Sequence, residues 1–127
     1  MSKEVYYVGS KFEEEYGFSK AVKHNDTIYV SGSSGYNYET ESISDDAATQ
    51  LKQAFANIEL ALNHFGSDLT DLIQVQLFYS APEVFEEITE ALSEIIKPSG
   101  TTLFAIRADL PIREFKVELL VTAAARQ

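Results

Sequence analysis

Phe115-Lys116-Val117-Glu118-Leu119-Leu120-Val121-Thr122-Ala123 is the stretch on which the reading of the fold turns. Along an extended strand successive side chains point to opposite faces. Phe115, Val117, Leu119 and Val121 then form one wholly apolar row, which needs cover from helices. Lys116, Glu118, Leu120 and Thr122 form the other row. That row is too apolar for a simple solvated face and too polar for a dry core. A subunit interface with water-lined clefts suits it. Leu72 to Tyr79 repeats the pattern, with Ile73, Val75, Leu77 and Tyr79 expected toward the helices and Leu72, Gln74, Gln76 and Phe78 opposite.

The helices that supply the cover are legible. From Ala47, apolar residues recur at Leu51, Ala54, Phe55, Ile58, Ala61, Leu62 and Phe65, one face at helical spacing. Ser44 is the expected N-cap, Asp45 and Asp46 suit the positive end of the helix dipole, and Gly66 suits the C-cap. Pro82 opens a second helix with a Phe85, Ile88, Leu92 and Ile95 stripe, and Pro98 stops it. Upstream, Glu4 to Val8 reads as a short strand. Lys20 to Lys23 and Thr27 to Ser31 flank the turn-rich His24-Asn25-Asp26 as a hairpin. Gly32-Ser33-Ser34-Gly35 opens a loop through Tyr36, Tyr38 and Glu41. Thr101 to Arg107 supplies the strand before the one quoted first. The order β-β-β-α-β-α-β-β predicts an α+β domain over residues 1–127, with two helices on one face of a mixed sheet.

Composition narrows the chemistry. A chain of 127 residues, 45% apolar, has the means to bury a core. It has no cysteine, which removes disulfides, thiolate catalysis and zinc-thiolate sites. His24 and His64 lie in different segments and do not suggest a metal site. The five acids of the second helix, Glu83, Glu86, Glu87, Glu90 and Glu94, read as a solvated face. Twenty acids against ten Lys and Arg give a net charge of −10, which disfavours nucleic acid as a partner. The N-terminal Met-Ser-Lys-Glu-Val has no apolar run and no segment approaches membrane-spanning length, so a cytoplasmic protein without a membrane partner is expected.

Tyr16-Gly17-Phe18-Ser19-Lys20-Ala21-Val22, Asp26-Thr27-Ile28-Tyr29-Val30-Ser31-Gly32, Gln50 with Asn57-Ile58, Lys97-Pro98 and Lys116-Val117-Glu118 fall in the order and spacing of the YjgF/Rid family, the reactive intermediate deaminases. The resemblance covers nearly the whole chain. It implies a chorismate mutase-like fold and a homotrimer with sheets facing inward, helices outside and ligand clefts between subunits. It also implies hydrolysis of small-molecule imines or enamines to keto acid and ammonia, with no cofactor and no metal. Such a reaction needs a water against an electrophilic imine carbon, a carboxylate to orient it and a cation for the substrate carboxylate.

On that resemblance Glu118 matches the water-orienting, catalytic glutamate, and Ser31 and Gly32 match the pair on the strand lining the cleft. Phe18 stands where many members have tyrosine, and Thr89 falls near a helix position that some fill with asparagine. Gly100, followed by Thr101, stands where the better-known members carry the carboxylate-binding arginine. An arginine fork on a carboxylate is worth on the order of 3 kcal/mol, about a hundredfold. Glycine supplies none of that, so the chain resembles an arginine-lacking branch. Lys20 and Arg107 are the candidate replacement cations. Three functions follow: an imine or enamine deaminase of altered specificity, a trimer that binds a small metabolite without converting it, and, weakest given the net charge, an endoribonuclease or translation inhibitor. Set against these, Glu118 has an ordinary reading as a partner for Lys116 or Gln74.

Overall fold

Residues 2–126 are described by the computed structural model. The elements run β1 (Lys3–Tyr6), α1 (Lys11–Tyr16), β2 (Ala21–His24), β3 (Thr27–Ser34), β4 (Tyr36–Asn37), β5 (Ser42–Ile43), α2 (Ala47–His64), β6 (Leu72–Tyr79), α3 (Pro82–Ile96), β7 (Thr102–Arg107) and β8 (Val117–Ala124). Short 3-10 turns lie at Leu69–Asp71 and Lys97–Ser99. Six strands form one sheet in the order β1-β2-β3-β8-β6-β7, and β4 and β5 pair apart from it. The sheet is mixed: β6 and β7 are parallel, and its other pairings are antiparallel. Strand β8 lies between β3 and β6, so it joins the N-terminal half of the sheet to the other half.

The apolar row predicted for the β8 stretch is buried. Val117, Leu119, Val121 and Ala123 pack with Ile28, Val30, Val75 and Leu77 under the Leu51, Ala54, Phe55, Ile58, Ala61 and Leu62 face of α2. Helix α3 adds Val84, Ile88 and Leu92. Val84 is buried, whereas Phe85 and Ile95 pack at the margin. The opposite face of the sheet is uncovered in the protomer. Tyr29 (51% exposed), Leu120, Phe104 (56%) and Ile106 stand on it among Gln74, Gln76 and Thr122. Among the described residues no helix is long and apolar enough to cross a membrane, and no group of three or more His, Asp or Glu could hold a metal.

Four expectations need correction. Leu72 is buried and Ile73 is 48% exposed, the reverse of the predicted alternation. A register shift against β8 between Leu72 and Gln74 inserts one residue and flips the side chains at the start of the strand. The cap of α2 is Asp46, whose carboxylate accepts from Thr49 N (2.9 Å); Ser44 instead accepts from Asp46 N, and the helix runs to His64 with Phe65 as its C-cap and Gly66 in the left-handed region (φ 81°) just beyond. The stretch Gly32–Gly35 is largely strand, since β3 runs to Ser34 through a bulge between Val30 and Ser33. A Cβ on Gly35 would lie 2.5 Å from both Cα and O of Gln50, so glycine is needed where the chain passes the α2 backbone.

The fourth correction is a third helix. Six-residue α1 carries a complete capping box: Ser10 Oγ accepts from Glu13 N (3.2 Å), and Glu13 Oε1 accepts from Ser10 N (2.7 Å). Gly17, at φ 77°, closes it in the left-handed region that favours glycine. The Ser10-x-x-Glu13 signature was present in the sequence, but two turns are too short to show a helical period.

Candidate functional site

Two buried amides of α2 position the site. Gln50 is fully buried, donates to Ser44 O (2.7 Å) and Glu114 O (3.0 Å), and accepts from Lys116 N (2.8 Å). It thereby pins the segment that carries Phe115 and leads into Glu118. Asn57 donates to Ser34 O (3.1 Å) and Tyr36 O (2.8 Å), holding the end of β3 and the start of β4. Each amide satisfies backbone groups that would otherwise be buried without partners.

Between the segments so fixed lies a cavity of about 230 Å³. Helix α1 and the residues after it contribute Phe12, Glu13, Tyr16, Phe18 and Lys20. Strand β3 contributes Gly32 and Ser34. The segment before β8 contributes Pro111, Ile112 and Phe115, and β8 contributes Glu118. Glu118 stands on the sheet face away from α2 and α3, in register with Ser34 on one side and Phe78 on the other. Neither Lys116 nor Gln74 is its partner: the Lys116 ammonium donates to Asp45 O (2.6 Å), and Gln74 accepts from Gln76 at a long 3.5 Å.

The charges are unusual. Lys20 is 2% exposed, and its Nζ donates to Ser33 Oγ (2.7 Å), which in turn donates to Ser31 O (2.9 Å). Among the described residues no carboxylate lies within ion-pair distance of Lys20. Burial pulls its ammonium from 10.5 down to about 8, while Glu13 and Glu118 pull the other way. Burial raises the Glu118 carboxyl above its ordinary value, with Lys20 opposing. Glu13 is itself buried, and its two oxygens accept from Val8 N (2.8 Å) and Ser10 N (2.7 Å). Tyr38, also on the cavity wall, is pushed up to about 12 by burial and then by Glu13 and Tyr36. It is therefore a neutral donor near pH 7.

Of the residues singled out from the sequence, Glu118, Phe18, Lys20 and Gly32 come together on this cavity. Ser31 sits behind it, with Oγ donating to Ser19 O (2.7 Å) and its backbone N–H to Lys20 O (2.8 Å). Gly100, Thr101 and Arg107 do not line it. Gly100 closes the 3-10 turn after α3 at φ 69°, the Thr101 hydroxyl donates to Thr102 O (3.0 Å), and Arg107 is exposed at the end of edge strand β7. Thr89 is likewise elsewhere, donating to Phe85 O within its own helix (2.6 Å). Sequence reasoning missed Phe12, Glu13, Tyr16, Ile112 and the Ser33 partner of Lys20. The approach of the first four depends on α1 and on the Pro111–Phe115 segment, neither of which repeats with a readable period, and Ser33 lies beyond the bulge in β3.

The family model described as Endoribonuclease L-PSP matches residues 9–125. The chain belongs to this family. An L-PSP relative in Dermatophagoides farinae, 2-iminobutanoate/2-iminopropanoate deaminase, is 27% identical over 106 residues, covering 80% of each chain. A RutC family protein of Escherichia coli, YjgH, is 33% identical over 82 residues, 64% of this chain and 62% of that one. Among solved L-PSP-like folds, a Mycobacterium tuberculosis member of the YjgF/YER057c/UK114 family superposes with a TM-score of 0.86 at 23% identity. It covers 97% of this chain and 99% of the other.

Proposed function

We propose that the protein is a cofactor-independent hydrolase of reactive imines or enamines, working as a homotrimer with Glu118 at the reacting centre. The observation that carries this reading is a half-buried carboxylate with a raised pKa, sharing a largely aromatic and apolar cavity with a buried lysine and the buried Glu13. Ionised Glu118 would hold a water and take its proton as the oxygen attacks the imine carbon. That proton goes to the nitrogen, giving a carbinolamine; Glu118 then takes the hydroxyl proton and returns it to the amine, so that the carbon–nitrogen bond breaks as the carbonyl forms, and keto acid and ammonia leave. A carboxylate raised by burial is a stronger base than one in water, which suits it to the task. Lys20 is the cation for the substrate carboxylate in place of the arginine absent at Gly100. The 2-iminobutanoate/2-iminopropanoate deaminase named among the relatives supports the same chemistry.

The uncovered sheet face supports the trimer, because Tyr29, Phe104, Ile106 and Leu120 form an apolar patch interspersed with glutamines. In such an assembly β7, with Arg107, and the turn at Gly100 would approach a neighbouring subunit's cavity. Binding without turnover is the second reading, favoured by the loss of the arginine clamp at Gly100. A ribonuclease is disfavoured by the net charge of −10 and by the two carboxylates, Glu13 and Glu118, on the cavity wall.

The test is ammonia release from imines generated in situ by amino-acid oxidases, comparing wild type with Glu118→Gln. Acceleration over buffer that disappears in the variant supports the deaminase. Absence of acceleration for every imine, with saturable ligand binding retained, moves the reading to a binding protein.

A further inference from the structure

We infer that Lys20 is a Schiff-base lysine, its side-chain nitrogen condensing reversibly with the carbonyl carbon of a small aldehyde or 2-keto acid. This chemistry goes beyond the deaminase reading and does not depend on it. Position is the first ground. Lys20 is 2% exposed yet borders the cavity, so a carbonyl compound inside that space meets its nitrogen away from bulk water.

The hydrogen bonds around the nitrogen are the second. Lys20 Nζ donates to Ser33 Oγ (2.7 Å), and the Ser33 hydroxyl gives its single proton to Ser31 O (2.9 Å). Ser33 therefore holds the nitrogen but has no proton to return, and the lone pair of a neutral amine stays free for an electrophile. Ser33 is not itself the nucleophile, because it is fully buried and off the cavity wall. Lys20 also lacks the ionic partner that Lys23 has in Glu4 (3.5 Å): among the described residues no carboxylate lies within ion-pair distance of it.

Electrostatics is the third. Glu13 and Glu118 favour the ammonium, but burial outweighs both and brings its pKa to about 8. Near pH 7.5 about a quarter of such amines are neutral, against about one in a thousand at the ordinary 10.5. Desolvation of this kind is what makes a lysine nucleophilic toward carbonyl carbon. The charged fraction remains to hold a carboxylate. Burial and the Ser33 bond are made within one protomer, so assembly keeps them. Any cation that a neighbouring subunit brings to the cavity would disfavour the ammonium further.

In the first step the neutral nitrogen attacks the carbonyl carbon, and one of its protons passes to the oxygen, giving a carbinolamine. Glu118, on the same wall, then delivers a proton to the hydroxyl, which leaves as water while the carbon–nitrogen double bond forms. Glu118 recovers its proton from the nitrogen. The amine has lost two hydrogens to the water, and nothing is oxidised or reduced.

The experiment incubates the full chain with propanal or with pyruvate and cyanoborohydride, which reduces a Schiff base to a stable secondary amine. Peptide mass spectrometry then locates the adduct. The expected result is one adduct per chain, on Lys20, formed at least about tenfold faster than at any other lysine. It should be absent from Lys20→Arg, and the selectivity should vanish when urea unfolds the wild type. Labelling by propanal alone identifies an aldehyde as the ligand, and labelling by pyruvate alone a keto acid. Lys20 left unmodified by both, or modified no faster than the exposed lysines, overturns the inference. Labelled Lys20 with no imine hydrolysed removes the deaminase reading and leaves the Schiff base standing; imine hydrolysis with Lys20 unlabelled does the reverse.

Discussion

Glu118 and Gly32 are in such close approach across the β3–β8 pair that a Cβ on Gly32 would lie 2.9 Å from Glu118 Oε2. The glycine leaves the space in which the carboxylate rests. Its backbone is not in the left-handed region, so alanine is conformationally acceptable there and only the contact forbids it. Gly32→Ala is therefore expected to swing the end of the Glu118 side chain and leave the sheet intact. Deamination should fall at least about tenfold with a melting temperature near that of wild type. Unchanged kinetics would show that the carboxylate's position is immaterial.

Removing the carboxylate is more severe. Glu118→Gln keeps the volume and removes the base, and a positioned general base contributes roughly 10²–10⁴-fold. A loss of that order in kcat, with KM for the imine little changed, is the expected outcome of steady-state kinetics.

The pH dependence of stability has a definite sign at Lys20. Its folded-state pKa of about 8 lies below the ordinary 10.5, so between those values the unfolded chain binds the proton more tightly. Below about pH 8 the folded state bears the whole cost of a buried ammonium, and raising the pH toward 10.5 relieves it. Stability of wild type relative to Lys20→Met should therefore climb by roughly 3 kcal/mol across that window. Urea unfolding of both proteins at several pH values measures it; a gap that stays flat or shrinks would contradict the buried-cation account. Lys20 also holds the Glu118 carboxyl down against burial, so its pKa should rise further in Lys20→Met, as read by carbon-13 NMR titration.

Gln50→Leu keeps much of the side-chain volume and deletes three hydrogen bonds to Ser44, Glu114 and Lys116 backbone atoms. Leaving such groups buried without partners should cost about 2–4 kcal/mol, a fall in melting temperature on the order of 10 °C. The cavity should loosen with it, because Phe115 is held by the same bonds.

The proposed trimer predicts a disassembly variant. Phe104→Glu with Leu120→Glu places charges on two exposed apolar residues of the open face without touching the core. Sedimentation velocity should report trimers for wild type and monomers for the double variant, and activity should fall if the neighbouring subunit completes the site.

How much of this could be read beforehand depended on whether a residue sat in a repeating pattern. The α2 stripe and the β8 alternation are long enough for burial to impose a period, and both are as expected. Those two elements and the motif residues Phe18, Lys20, Gly32 and Glu118 carried the site's floor. Leu72 and Ile73 defeated the reading because a bulge is one inserted residue with no mark in hydrophobicity. Helix α1 was hidden by its brevity, and with it went the wall formed by Phe12 and Tyr16. Ile112 lies about a hundred residues from Phe12 in the chain, and only the fold brings both to one cavity.

The place of β8 has a consequence for how the molecule assembles. Among the described residues, strands β1 to β3 on one side and β6 with β7 on the other are joined in the sheet only through it. Closing these long-range pairings is the slow, entropically demanding part of such a topology. The strand that completes the sheet is also the one that bears Glu118. A chain whose two halves have been united has therefore already installed its carboxylate, and a chain that has not installed it lacks a continuous sheet. On the proposed mechanism, the pairing that completes the sheet is also the one that puts the proposed base in place.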